Sequence, residues 1–247
     1  MERLSTDYHG PHKIRLNRNK KNRGLIEHVN KINSIAEGQL IVAAAGDDIS
    51  LPERVTEHVA VFLRDREGTH SIHSSVLKID QTGSPLGLWK PPILEVSNTP
   101  DALALNYGAI IGAAHSWSRS VTQIFGPIAY RDTYEDLIIG FRSSLLKGIK
   151  YIDKPLVLYR SGIGISTSPR TTPKTIKESI EIRIKWYSFT KSTLKQRQKD
   201  CLKIGQYSLA KKLRFQIAKS HIKCYISLLL LGAMKIFSSF SHREKLP

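Results

Sequence analysis

The sequence predicts an α/β fold, a mainly parallel sheet flanked by helices, with a basic helical tail behind it. Short apolar runs alternate with segments of helical period, the pattern of a sheet covered by helices. Charge is divided unevenly: residues 1–169 hold 20 basic and 17 acidic side chains, a net of +3, whereas residues 170–247 hold 18 and 4, a net of +14. Such a split marks a near-neutral domain joined to a basic tail. No internal repeat of roughly 20–50 residues is present, which excludes a solenoid or propeller.

The elements follow in order. Asn22–Ala36 carries Leu25, Ile26, Val29, Ile32 and Ile35 at helical spacing, and Glu37-Gly38 stops it. Leu40–Ala45 is a continuous apolar run, as expected of a buried parallel strand. Ser50-Leu51-Pro52-Glu53 has the order of a capping box, with Val55, Val59, Phe62 and Leu63 supplying an apolar helix face. His70–Ile79 reads as a strand, Gln81–Pro85 as a turn and Gly112–Trp117 as another strand. Thr133–Leu146 is an amphipathic helix, and Ile149–Ile152 and Pro155–Tyr159 are two short strands. Ser161–Pro173 (SGIGISTSPRTTP) has linker chemistry. Thr175–Arg197 and Gly205–His221 read as basic helices.

Composition limits the classes. At 40% hydrophobic and 24% charged the chain is globular rather than disordered. Cys201 and Cys224 are too few for a disulfide framework or a four-cysteine zinc site, and read as free thiols in a reducing compartment. The opening MERLSTDYHG lacks the apolar core of a secretory signal, and no apolar run reaches the length of a membrane span. His70 and His73, three apart on a strand, face opposite sides and cannot share a metal. Gly162-x-Gly164 lacks the third glycine of a dinucleotide fingerprint. Trp117 could stack on a sugar, with buried packing the ordinary alternative.

Two acidic sites stand out. Asp47-Asp48 lies where an apolar strand ends, and ligands of open α/β sheets bind beyond strand carboxyl ends. Adjacent carboxylates repel unless a cation or donors satisfy them, and hard oxygens suit Mg²⁺ or Mn²⁺. The competing reading is a helix cap or Asx turn. Glu135-Asp136 opens the Thr133–Leu146 helix, where the helix dipole alone favours acids. A carboxylate there, aimed into a cleft, is also placed to act as a general base.

AsnArgGly (22–24), Asn30, AlaGluGlyGlnLeuIle (36–41), GlyAspAsp (46–48) and LeuProGluArgVal (51–55) together resemble family 2 glycosyltransferases. HisSerTrpSerArg (115–119), PheGlyPro (125–127), TyrGluAspLeu (134–137) and the segment 142–160 extend the likeness over about residues 5–166. The resemblance implies a GT-A, Rossmann-like fold over residues 1–165, with residues 166–247 as the tail. It implies Asp48 as the ligand of Mn²⁺ or Mg²⁺, Asp47 beside it toward the ribose, and Asp136 as the catalytic base. Arg23 and Arg160 are implied as nucleotide and diphosphate contacts. Ala45 stands where many relatives carry a further acid. The family normally opens with a strand–helix–strand unit that holds the nucleotide base. Ser5-Thr6-Asp7 resembles the end of that unit, so the fold is expected to be N-terminally truncated, with poor solubility and weak activity.

The function so implied is inverting transfer of a sugar from a nucleotide-diphosphate sugar donor to a glycan or lipid-linked acceptor, in cell-envelope polysaccharide biosynthesis. The expected location is the cytoplasm, at the inner face of the plasma membrane. The tail, with the apolar segment Ile222–Phe237 between lysines, either packs back on the domain or lies on an anionic membrane surface. One alternative is an inactive relative that acts as a binding protein. A nucleic-acid-binding protein fits the pI of about 9.9, but the tail aromatics form no recognisable module, which disfavours it.

Overall fold

The computed structural model describes residues 2–91, 99–162 and 175–243. Residues 163–173 of the expected linker, Gly164, and the boundary between 165 and 166 lie outside them. The elements are α1 (Glu2–Thr6), α2 (Leu25–Ile35), β1 (Leu40–Val42), β2 (Ile49–Ser50), α3 (Arg54–Arg64), β3 (Ser71–Ile79) and β4 (Pro85–Trp89). Then come α4 (Pro100–Leu103), a 3-10 turn (Gly112–Ala114), β5 (His115–Ser118), α5 (Arg119–Phe125), α6 (Glu135–Leu145), β6 (Ile149–Arg160), α7 (Ile176–Lys203) and α8 (Tyr207–Arg243).

The sheet corrects the expected fold class. Its order is β1-β5-β3-β6-β2, with β4 also beside β3. Among the described residues only β3 and β6 pair in parallel; β1–β5, β2–β6, β3–β4 and β3–β5 are all antiparallel. The molecule is α/β with a mixed, curled sheet, not a mainly parallel, Rossmann-like one. Two physical causes are visible. A tight turn forces β4 back along β3: the Asp80 carboxylate accepts the N–H groups of Thr82 and Ser84 at 2.8 and 2.9 Å, and Gly83 takes φ 98°. Further on, β5 enters between β1 and β3 and runs against both.

Local differences have equally local causes. The two strands expected at 149–159 are one strand, β6, whose pairing with β3 shifts register around Ser75 and Pro155. Proline has no N–H for the ladder, and the irregularity absorbs it. Ser50 does not cap α3: it pairs with Val157 in β2, and its hydroxyl accepts from Arg54. Ser118 does cap α5, accepting the N–H of Ser120. Trp117 is core, 3% exposed, and its indole N–H donates to Asn33.

Side-chain alternation puts His73, His115, Trp117 and Tyr151 on one sheet face and Ile72 and Ser116 on the other. The main core joins Ile41 and Trp117 to α2, α5 and α6 through Ile26, Val121, Phe125, Ile138 and Phe141. Leu194 and Cys201 of α7 and Leu209, Ala210 and Leu213 of α8 belong to the same cluster. A buried ion pair locks α7 to α6: Arg142 Nε and Nη2 donate to Asp200 at 2.9 and 3.2 Å, and Arg142 Nη1 donates to the Gly126 carbonyl.

Candidate active site

Strand directions bring distant segments to one edge. β1 opposes β5 and β5 opposes β3, so β1, β3 and β6 run the same way. Their carboxyl ends, and the amino end of β5, therefore share one side of the sheet. That side carries Asp47 and Asp48 after β1, Arg160 at the end of β6, and Gly112 ahead of β5.

Arg160 is the hub of the first group. Its backbone N–H donates to Asp48 Oδ1 at 2.8 Å. Its guanidinium donates to the carbonyls of Asp47, Asp80 and Gln81 at 2.9–3.0 Å. The side chain therefore ties two turns together, the one after β1 and the one after β3, and makes no bond to the carboxylates of the acidic pair. Burial pushes the Asp48 carboxyl above its ordinary range, and the adjacent Asp47 charge adds to this, against the Arg160 N–H bond. Arg54, 1% exposed, donates to the Ala43 carbonyl and lies close enough to Asp48 to attract it.

Asp47 and Asp48 are the residues here that could hold a cation. No group of three or more His, Cys, Asp or Glu assembles among the described residues, so a closed protein cage is not formed. Asp47 and Asp48 are hard oxygen donors of the kind a divalent ion takes, and two carboxylates alone would leave most of its coordination positions to other ligands.

Asp136 opens α6 and packs against Gly112. A Cβ at Gly112 would lie 2.9 Å from Asp136 Oδ2, so only glycine leaves this carboxylate its place. Leu137 N–H donates to Asp136 Oδ1 at 2.7 Å. Burial, then the Glu135 charge, raise the carboxyl to about 7, opposed by N–H bonds from Leu137 and Gly112 and by the Arg197 charge. A cavity of about 10 Å³ lies against it, lined by Asn106, Ile110, Gly140, Phe141 and Arg197 among others.

Arg23 stands apart from these groups. It precedes α2, is exposed, and pairs with Glu27 in the first turn of that helix at 3.4 Å. A larger cavity, about 350 Å³, lies where β5 ends, lined by Arg66, Arg119 and Gln123 among others. That is the opposite side of the sheet from the acidic pair.

Sequence reasoning missed two contributors. Arg197, 2% exposed, donates to the carbonyls of Ala104, Asn106 and Leu137 at 2.9–3.0 Å. Its position in a basic run gave no sign that it would be buried beside a carboxylate. Four aromatic rings gather near the start of α6. Tyr134 lies 5.1 Å from Phe189, and Trp186 lies 5.6 Å from both Phe189 and Tyr107. Trp186 is 51% exposed and so presents ring surface to solvent. The tail aromatics were visible in the sequence, but their meeting with Tyr107 and Tyr134 was not.

Comparison with protein-family models found no matching family, and a search of curated proteins found no match. The site's own chemistry therefore carries the functional reading.

Proposed function

We propose that the protein is an inverting, metal-dependent glycosyltransferase that uses a nucleotide-sugar donor, as the resemblance to family 2 enzymes implies. The observation that carries the reading is the placement of Asp136, at the start of α6 against Gly112, on the same sheet edge as the Asp47-Asp48 pair. Burial and the neighbouring Glu135 charge raise its carboxyl, the direction a general base at neutral pH needs.

Asp136 accepts the proton of an acceptor hydroxyl. The hydroxyl oxygen attacks the anomeric carbon from the face opposite the leaving nucleoside diphosphate, and the configuration inverts. Asp47 and Asp48 would hold Mg²⁺ or Mn²⁺, which offsets charge gathering on the diphosphate. Trp186, beside Tyr107 and Phe189, offers a stacking surface for an acceptor sugar ring. A glycan or lipid-linked glycan acceptor, and a role in cell-envelope polysaccharide assembly, belong to the same proposal.

The test is nucleoside diphosphate release from a panel of nucleotide sugars. Asp136→Asn keeps the shape but removes proton acceptance, so turnover should fall by about 10²–10⁴-fold with donor affinity kept. In the wild type, kcat/KM should rise with pH through about 7 as Asp136 ionises. EDTA and Asp48→Ala should each abolish donor binding measured by calorimetry. Wild-type turnover in Asp136→Asn would reduce that residue to a helix-start acid.

A further inference from the structure

The helices α7 and α8 fold back on each other at Gly205, which takes φ 75°, and they differ along their length. Near the turn, Leu209, Ala210 and Leu213 are buried in the core. Further out, α8 keeps Ser220 and Ser227 buried while its large apolar side chains face outward. Ile222, Tyr225, Ile226, Leu228, Leu229 and Leu230 are 49–62% exposed. On the far half of α7, Ile176 is 73% and Ile182 47% exposed. Contiguous apolar surface of this kind on a folded domain marks an interaction site.

Charge selects the partner. Residues 207–243 contain seven Lys or Arg and no Asp or Glu. Two copies meeting through this helix would bring like charges together, which disfavours self-association. A nucleic acid would match the charge but leave the aliphatic side chains in water. The geometry points to the outer half of the α7–α8 hairpin as a docking surface for an anionic lipid bilayer, with Ile222–Leu230 inserted at the headgroup boundary and Lys219 and Lys223 on lipid phosphates. The helix lies on the bilayer and does not cross it: no helix among the described residues is long and apolar enough to span one. This inference rests on the hairpin alone and not on the transferase reading.

Vesicle co-sedimentation of the full chain tests it. Vesicles of equal parts phosphatidylcholine and phosphatidylglycerol should carry the protein down. Pure phosphatidylcholine, or a rise to about 0.5 M salt, should lower the bound fraction severalfold. Leu229→Ser with Leu230→Ser should weaken partitioning by about tenfold or more without moving the thermal melt, since both side chains are exposed. Lys219→Glu with Lys223→Glu should weaken binding to the anionic vesicles specifically. Sedimentation with no vesicle at low salt would overturn the inference, and so would sedimentation that ignores both double substitutions. A concentration-dependent dimer that Leu229→Ser with Leu230→Ser dissolves, without vesicle binding, would assign the surface to a second copy instead.

Discussion

Asp136 lies between Gly112 and Arg197, and that setting fixes the sign of its effect on stability. Its folded value, about 7, stands above the ordinary 3.8. Its contribution to stability is therefore fully present below 3.8 and is lost as pH rises through about 7. Asp136→Asn should accordingly melt higher than wild type at pH 8, by at least about 2 °C, and the gain should vanish near pH 4. Calorimetry at the two pH values checks this. A gain in stability that accompanies a loss of turnover separates a functional carboxylate from a structural one. The buried histidines act in the opposite direction. Burial lowers His58 and His73 to about 4, and His115 falls well below its usual 6.5. Their contribution is present above 6.5 and is lost as pH falls through about 4. Stability should therefore drop steeply across that window. His58→Asn, which keeps a polar atom for Ser116, should flatten the slope by about one proton, as read from urea titrations at stepped pH.

At the scale of elements, the sequence was legible where period and composition decide. β3 was expected at His70–Ile79 and lies at Ser71–Ile79, a stretch short of helical period that runs straight into the turn at Asp80. The helix expected at Thr133–Leu146 is α6, Glu135–Leu145. Strand direction was not legible, since an apolar run reads the same in a parallel or antiparallel ladder. Of the strand expected at Gly112–Trp117, Gly112–Ala114 is a 3-10 turn and only the end lies in β5, His115–Ser118, which was for that reason wrongly read as part of a mainly parallel sheet. The acidic pair and Asp136 could be picked out as candidates from local sequence; Gly112 and Arg197, which shape the Asp136 setting, come from remote segments that no local pattern links. The lock between α6 and α7 is equally non-local. Arg142 and Asp200 are each 1% exposed, so removing one partner leaves the other charge buried. Asp200→Ala should cost about 3–5 kcal/mol, and Arg142→Met with Asp200→Leu much less. Urea midpoints at constant m check both.

For the whole molecule, charge divides the chain where packing does not. The net of +14 beyond residue 169 suggests a separate tail, but Leu194, Cys201 and Leu213 sit in the same core as Ile138 and Trp117. In the outer half of the hairpin, Ile222, Tyr225, Ile226 and Leu228–Leu230 turn their side chains to solvent. Arg197 gives this arrangement a further meaning. Its guanidinium bridges the Ala104, Asn106 and Leu137 carbonyls from α7, and its charge draws the proton off Asp136 while the surrounding packing holds it on. The acidity of a carboxyl on α6 is thus a gauge of how firmly a helix much later in the chain is seated. Any force that lifts the hairpin, including its engagement with a surface, would be registered in the pH at which Asp136 titrates.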